Sequence, residues 1–148
     1  MQAQILAPAA VLVLWTLVVM VWIIPRRFGA IGRMDKSALP KKHGVRGQDL
    51  EGLLPDKANW PAHNFAHLME QPTTFYAVIV ILAMMGAGPV DVLFAWIYVA
   101  VRIIHSLWQI LVNTIPVRFA LFLLSAVALG VLAVRAVMAT LFADPGVF

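Results

Sequence analysis

PVDVLFAWIYVAVRIIHSLWQILVN, residues 89–113, is longer and more apolar than the core helix of so small a chain needs to be. About 20 apolar residues, roughly 30 Å of helix, cross the hydrocarbon core of a bilayer. The stretch therefore predicts a transmembrane helix over 90–112. A set of polar residues, Arg102, His105, Gln109 and Asn113, recurs along it at helical spacing. Their steps of three, four and four place them on one helical face. A polar stripe carrying a charge is too costly to face lipid, so it must face other helices or a wet cavity.

Working outward, three more apolar runs are also long enough to cross a bilayer. The first covers 5–24, the second 61–86 and the fourth 116–142. The residues before the first run, Met1 to Gln4, carry no positive charge, whereas Arg26 and Arg27 follow it. That order reads as a membrane anchor with its N-terminus outside, not as a cleaved signal peptide. Gly86-Ala87-Gly88-Pro89 separates spans two and three, Pro116 opens the fourth, and Asp144-Pro145-Gly146 follows it. Such short connections make neighbouring helices antiparallel.

The whole chain supports this reading. It has 148 residues, 62% of them hydrophobic and 12% charged. A soluble domain is typically about 25% charged. The formal charge is +4, but eight of the eleven Lys and Arg lie between the first two spans. Segment 25–60 carries Arg26, Arg27, Arg33, Lys36, Lys41, Lys42, Arg46 and Lys57, against Asp35, Asp49, Glu51 and Asp56. It reads as an irregular cytoplasmic loop. Arg118 falls on the same side, and Asp91 and Asp144 on the other. No helix has a continuous basic face for phosphates, so nucleic acid is not an expected partner. The expected fold is an all-α membrane protein. It is one domain over 1–148, an antiparallel bundle of four transmembrane helices with both termini non-cytoplasmic.

A second polar stripe opens the second span: His63, Asn64, His67, Glu70 and Gln71. Glu70 and Arg102 lie at similar depth, roughly 13 and 16 Å from the cytoplasmic ends of adjacent helices. They are expected to form an intramembrane ion pair, with a purely structural role as the alternative. Arg118 is either a positive-inside anchor or a cation facing the polar pocket near Asn113. Arg135 is expected to reach the outer headgroups, and Trp22 and Trp60 to sit in the interface belts. His63 and His67 have a spacing that suits two metal ligands, but no second Glu-x-x-His repeat supports a metal bundle, and no metal is expected. There is no cysteine, so any thiol chemistry needs a thiol from a substrate or cofactor.

Two stretches, Asn64 to Tyr76 and Trp96 to Ser106, continued by Asn113 and Arg118-Phe119, resemble the MAPEG family, the membrane-associated proteins in eicosanoid and glutathione metabolism. The resemblance is to its small bacterial members, which implies a multi-pass protein of a bacterial inner membrane. It also implies a homotrimer of four-helix bundles. The family's enzymes bind glutathione in pockets between subunits that open to the cytoplasm.

By that resemblance, Arg118 matches the arginine that stabilises the thiolate. Glu70 matches the acid that contacts the glutathione backbone, and Arg102 the arginine buried beside that acid. His67 stands where the enzymes have asparagine, and His105 matches a histidine found in some of them. Asn64, Gln109 and Asn113 complete the expected glutathione site, Gln109 standing in place of a tyrosine. Arg26 or Arg27 takes the basic role at the pocket mouth. His63, Asn64 and Ala66 occupy the region of another arginine, and Phe119 and Phe122 that of a serine and a tyrosine.

Two functions follow. One is a glutathione-dependent transferase or peroxidase acting on hydrophobic electrophiles that arrive from the bilayer. The other is a non-catalytic subunit that binds lipid or protein, its polar residues serving helix packing.

Overall fold

The apolar runs form four helices: α1 (Gln2–Ile31), α2 (Asp56–Met85), α3 (Pro89–Leu111) and α4 (Ile115–Leu141). The computed structural model describes residues 2–41 and 43–143. Lys42 of the basic segment, Asp144 and the Asp144-Pro145-Gly146 stop lie outside the described residues. No strand occurs among the described residues, and each of the four helices is long and apolar enough to span a membrane. The protein is an integral, multi-pass, all-helical membrane protein.

Two helix ends differ from the expected spans. α1 does not stop at Ile24 but continues through Pro25 to Ile31. A proline inside a helix removes one backbone hydrogen bond, yet the following turns stay helical. They are held laterally, because Arg27 Nη2 lies 3.5 Å from Glu51 Oε1. α2 begins at Asp56, earlier than expected. The loop between them contains two short 3₁₀ turns, Lys36–Ala38 and Gly47–Leu50. The backbone N–H of Ser37 donates to the Asp35 side chain and holds that carboxyl below its usual range. Glu51 anchors the loop: besides Arg27, it lies 3.2 Å from His63 Nε2, and its carbonyl accepts from Asn59 Nδ2 at 3.0 Å.

The two tight turns need left-handed backbone. Gly86 closes α2 at φ 87°, which glycine adopts without a Cβ clash. Asn113 closes α3 at φ 62°, a conformation asparagine tolerates better than most residues. Asn113 therefore turns the chain rather than extending the α3 stripe, as its spacing had suggested.

Side-chain pairings fix the register. Along α2 and α3, Asn64 meets Gln109, His67 meets Arg102 and Gln71 meets Tyr98, an antiparallel order. Arg102 meets Phe122, and Asp91 meets Arg135, so α3 and α4 are antiparallel too. α2 and α3 form the middle of the bundle; α1 packs on both, α4 packs on both, and the α1 and α4 backbones stay apart. Leu12, Val19, Leu68, Phe75, Tyr98 and Leu132 fill the core. Phe75 and Tyr98 stack with ring centroids 4.2 Å apart. Outward, Leu14, Met84 and Phe119 are exposed apolar side chains, as lipid or a neighbouring subunit requires.

Candidate functional site

The polar seam follows from where each helix turns its buried face. On α3, Arg102, His105, Ser106 and Gln109 are all buried. On α2, the buried stripe is Pro61, Asn64, Leu68, Pro72, Phe75 and Ile79. Asn64 belongs to that stripe, whereas His63 and Glu70 are exposed. The polar set of α2 is thus offset around the helix from its packed face.

The inner part of the seam is a buried hydrogen-bonded chain. Asn64 Nδ2 donates to Gln109 Oε1 at 2.9 Å, and Ser106 Oγ donates to Asn64 Oδ1. About two turns further from the basic end, Tyr98 OH and Ser125 Oγ both donate to Gln71 Oε1, at 3.4 and 3.3 Å. Ser106, Tyr98 and Ser125 were missed as polar partners in the sequence. Ser106 left a signal, since it lies four residues after Arg102 and three before Gln109. Its small hydroxyl is too common in apolar helices for that spacing to stand out.

The expected Glu70–Arg102 ion pair does not form. Arg102 is 1% exposed, and its Nη2 donates to the His67 carbonyl at 3.0 Å. Glu70 instead lies 3.2 Å from His67 Nδ1 and points outward, its side chain 66% exposed. Depth was matched, but azimuth was not. Glu70 is two residues, about 200° of helix rotation, past Leu68 of the buried stripe. Arg102 Nε and Nη1 are consequently buried without a partner in this chain. Its guanidinium lies 6.0 Å from the Phe122 ring, within cation–π reach.

The Arg135 expectation is also corrected. Arg135 does not reach for headgroups alone: Nε and Nη2 both bond the Asp91 carboxylate, the second at 3.3 Å. Asp91 also accepts from the Gly88 backbone N–H at 2.7 Å, capping α3.

A cavity of about 410 Å³ opens at the basic end, lined by His67, His105, Ile115, Arg118, Phe119 and Phe122. Arg118 enters from the first turn of α4, which Ile115 and Pro116 open. Its Nη1 donates to Asn113 Oδ1 at 2.7 Å, and its Nε is buried without a partner. The His67 and His105 rings meet edge to face, with centroids 5.9 Å apart. His67, His105 and Arg118 therefore share one wall-to-wall space, with Asn113 orienting Arg118. Glu70 touches that group through His67 from outside, and Asn64 and Gln109 lie in the packed network instead. Among the described residues no group of three or more His, Cys, Asp or Glu side chains is placed to hold a metal ion.

The arrangement is a cationic recess with one apolar wall. It offers N–H donors to an anion and aromatic surface to a hydrophobic group. A family model for the MAPEG family matches residues 5–138. No curated protein and no solved structure matches the chain.

Proposed function

The chain belongs to the MAPEG family, and from that premise we propose that it is a glutathione-dependent transferase acting on hydrophobic electrophiles, with Arg118 as its catalytic residue. The observation that carries this reading is the Arg118 guanidinium, fixed by Asn113 on a cavity shared with His67 and His105. The cavity's size falls within the roughly 300–1,000 Å³ of small-molecule sites. The lining fits glutathione in kind: Arg118 puts a guanidinium on the cavity, its buried Nε lacks an acceptor, and glutathione carries two carboxylates and a thiol.

When bound, glutathione supplies the thiolate that attacks the electrophile. Arg118 stabilises that negative charge, a preorganised cation in a site partly shielded from water. Asn113 keeps Arg118 from swinging to the headgroups. Ile115, Phe119 and Phe122 form the apolar side, against which a bilayer-borne substrate packs. His67 and His105 offer ring nitrogens to the polar part of glutathione. Glu70 faces outward, where in a homotrimer a neighbouring subunit would close the pocket and Glu70 would meet the peptide backbone of glutathione. The same thiolate would serve peroxidase chemistry on a lipid hydroperoxide, with a second glutathione completing the disulfide as the hydroperoxide leaves as alcohol and water.

The non-catalytic reading has one observation in its favour. Asn64, Ser106 and Gln109 take one another as hydrogen-bond partners inside the bundle, which is what packing alone demands. Glutathione titrated into the purified protein, with turnover of a model electrophile, separates the two. Saturable binding is expected, with a rate that falls roughly 10²–10³-fold in Arg118→Ala while assembly size is kept. Unchanged turnover in that variant defeats the assignment, and no binding at millimolar glutathione selects the non-catalytic reading.

A further inference from the structure

A second cationic groove, of about 430 Å³, lies at the basic end between the projecting turns of α1 and the start of α2. It shares no residue with the Arg118 cavity, so within this chain neither Arg26, which lines the groove, nor Arg27, which pairs with Glu51, stands at that cavity's mouth as the resemblance implied. Arg26, Arg33 and Lys57 line it, together with Pro25, Ala30 and Pro55, and no Asp or Glu does. None of the three cations forms an ion pair among the described residues, whereas Arg27 and Arg135 do. Of the nearby acids, Asp35 accepts from Ser37 and Glu51 is held by Arg27 and His63, while Asp56 is not among the lining residues. Lys57 Nζ lies 5.9 Å from the ring of Trp60, a residue type that settles at the headgroup level.

The α1 face above the groove is apolar. Counting back from Arg26 at helical spacing gives Trp22, Val18 and Val11, and both valines are exposed. That ridge runs roughly 22 Å into the bilayer from Arg26. A basic groove at the foot of an exposed apolar ridge matches a molecule with an anionic head and hydrocarbon tails. We propose that this groove binds the headgroup of an anionic phospholipid, its phosphate on Arg26, Arg33 and Lys57 and its acyl chains along α1. Gly29 makes room for it: a Cβ built there meets no atom within 4 Å, so the space beside it is open.

The protein, extracted from vesicles of equal phosphatidylglycerol and phosphatidylcholine, is to be analysed for retained lipid by native mass spectrometry. Phosphatidylglycerol should be retained in preference. Arg33→Gln with Lys57→Gln should weaken that preference roughly tenfold or more, since each cation near an anionic surface contributes about 1 kcal/mol. Gly29→Leu should abolish it too, by filling the groove with every charge kept. Lys36→Gln with Lys41→Gln removes the same charge from the same loop outside the groove and should leave it intact. Equal losses in the two double variants, or full retention in either groove variant, overturn the proposal. So does displacement of the lipid by inorganic phosphate alone, which would mark a free-anion site, or equal retention of the two lipids.

Discussion

Asn64 shows how one buried residue fixes the middle of this bundle. It is fully buried, gives its amide N–H to Gln109 and takes the Ser106 hydroxyl. Lipid supplies no competing water, so such contacts select one rotation of α2 against α3. Asn64→Ala should cost about 1–2 kcal/mol and lower the thermal midpoint in detergent. A double-mutant cycle with Gln109→Ala should return a coupling of roughly 0.5–1.5 kcal/mol; simple additivity would mean that the network contributes nothing. Arg102 and Glu70 teach the opposite lesson. Each is a charge at the right depth, yet they face different directions, and Arg102 is left with two unpartnered nitrogens beside Phe122.

At the scale of elements, α3 and α4 are joined at the end away from the basic loop by Asp91 and Arg135. The pair is asymmetric: the Asp91 side chain is 4% exposed and that of Arg135 41%. Arg135→Gln leaves a buried carboxylate without its counter-ion and should cost about 1–3 kcal/mol. Asp91→Asn should cost clearly less, because an asparagine oxygen still accepts from the Gly88 N–H and the freed arginine can extend to water or headgroups. Thermal unfolding of the two variants in one detergent provides the comparison, and equal losses would refute the asymmetry. The pair was legible only in part. Both residues stand out as charges near span ends, but 44 positions separate them, and nothing in their local spacing relates one to the other.

For the whole molecule, four antiparallel helices bring both described chain ends to the side opposite the basic loop. The excess of Lys and Arg in that loop should hold it in the cytoplasm. The chain has no cysteine, so single introduced thiols report topology cleanly. A thiol in Ser37→Cys should react with a membrane-impermeant maleimide only after permeabilisation, and one in Ala143→Cys should react in intact cells. The reverse pattern would invert the topology and move the Arg118 cavity to the outer face.

The sequence by itself determined the class, the number of helices and their antiparallel order. Those depend on hydrophobic length, on turn residues and on composition, all of which are local properties. It also marked the seam, because a polar residue among apolar ones is costly wherever the helix ends up. Only the tertiary structure decided which members of that seam meet. His67, His105 and Arg118 share a cavity, Asn64 and Gln109 pack, Glu70 faces out, and Asp91 takes Arg135. The reason is rotational: an α-helix turns about 100° per residue, so a depth along the axis says nothing of direction until neighbouring helices fix the face.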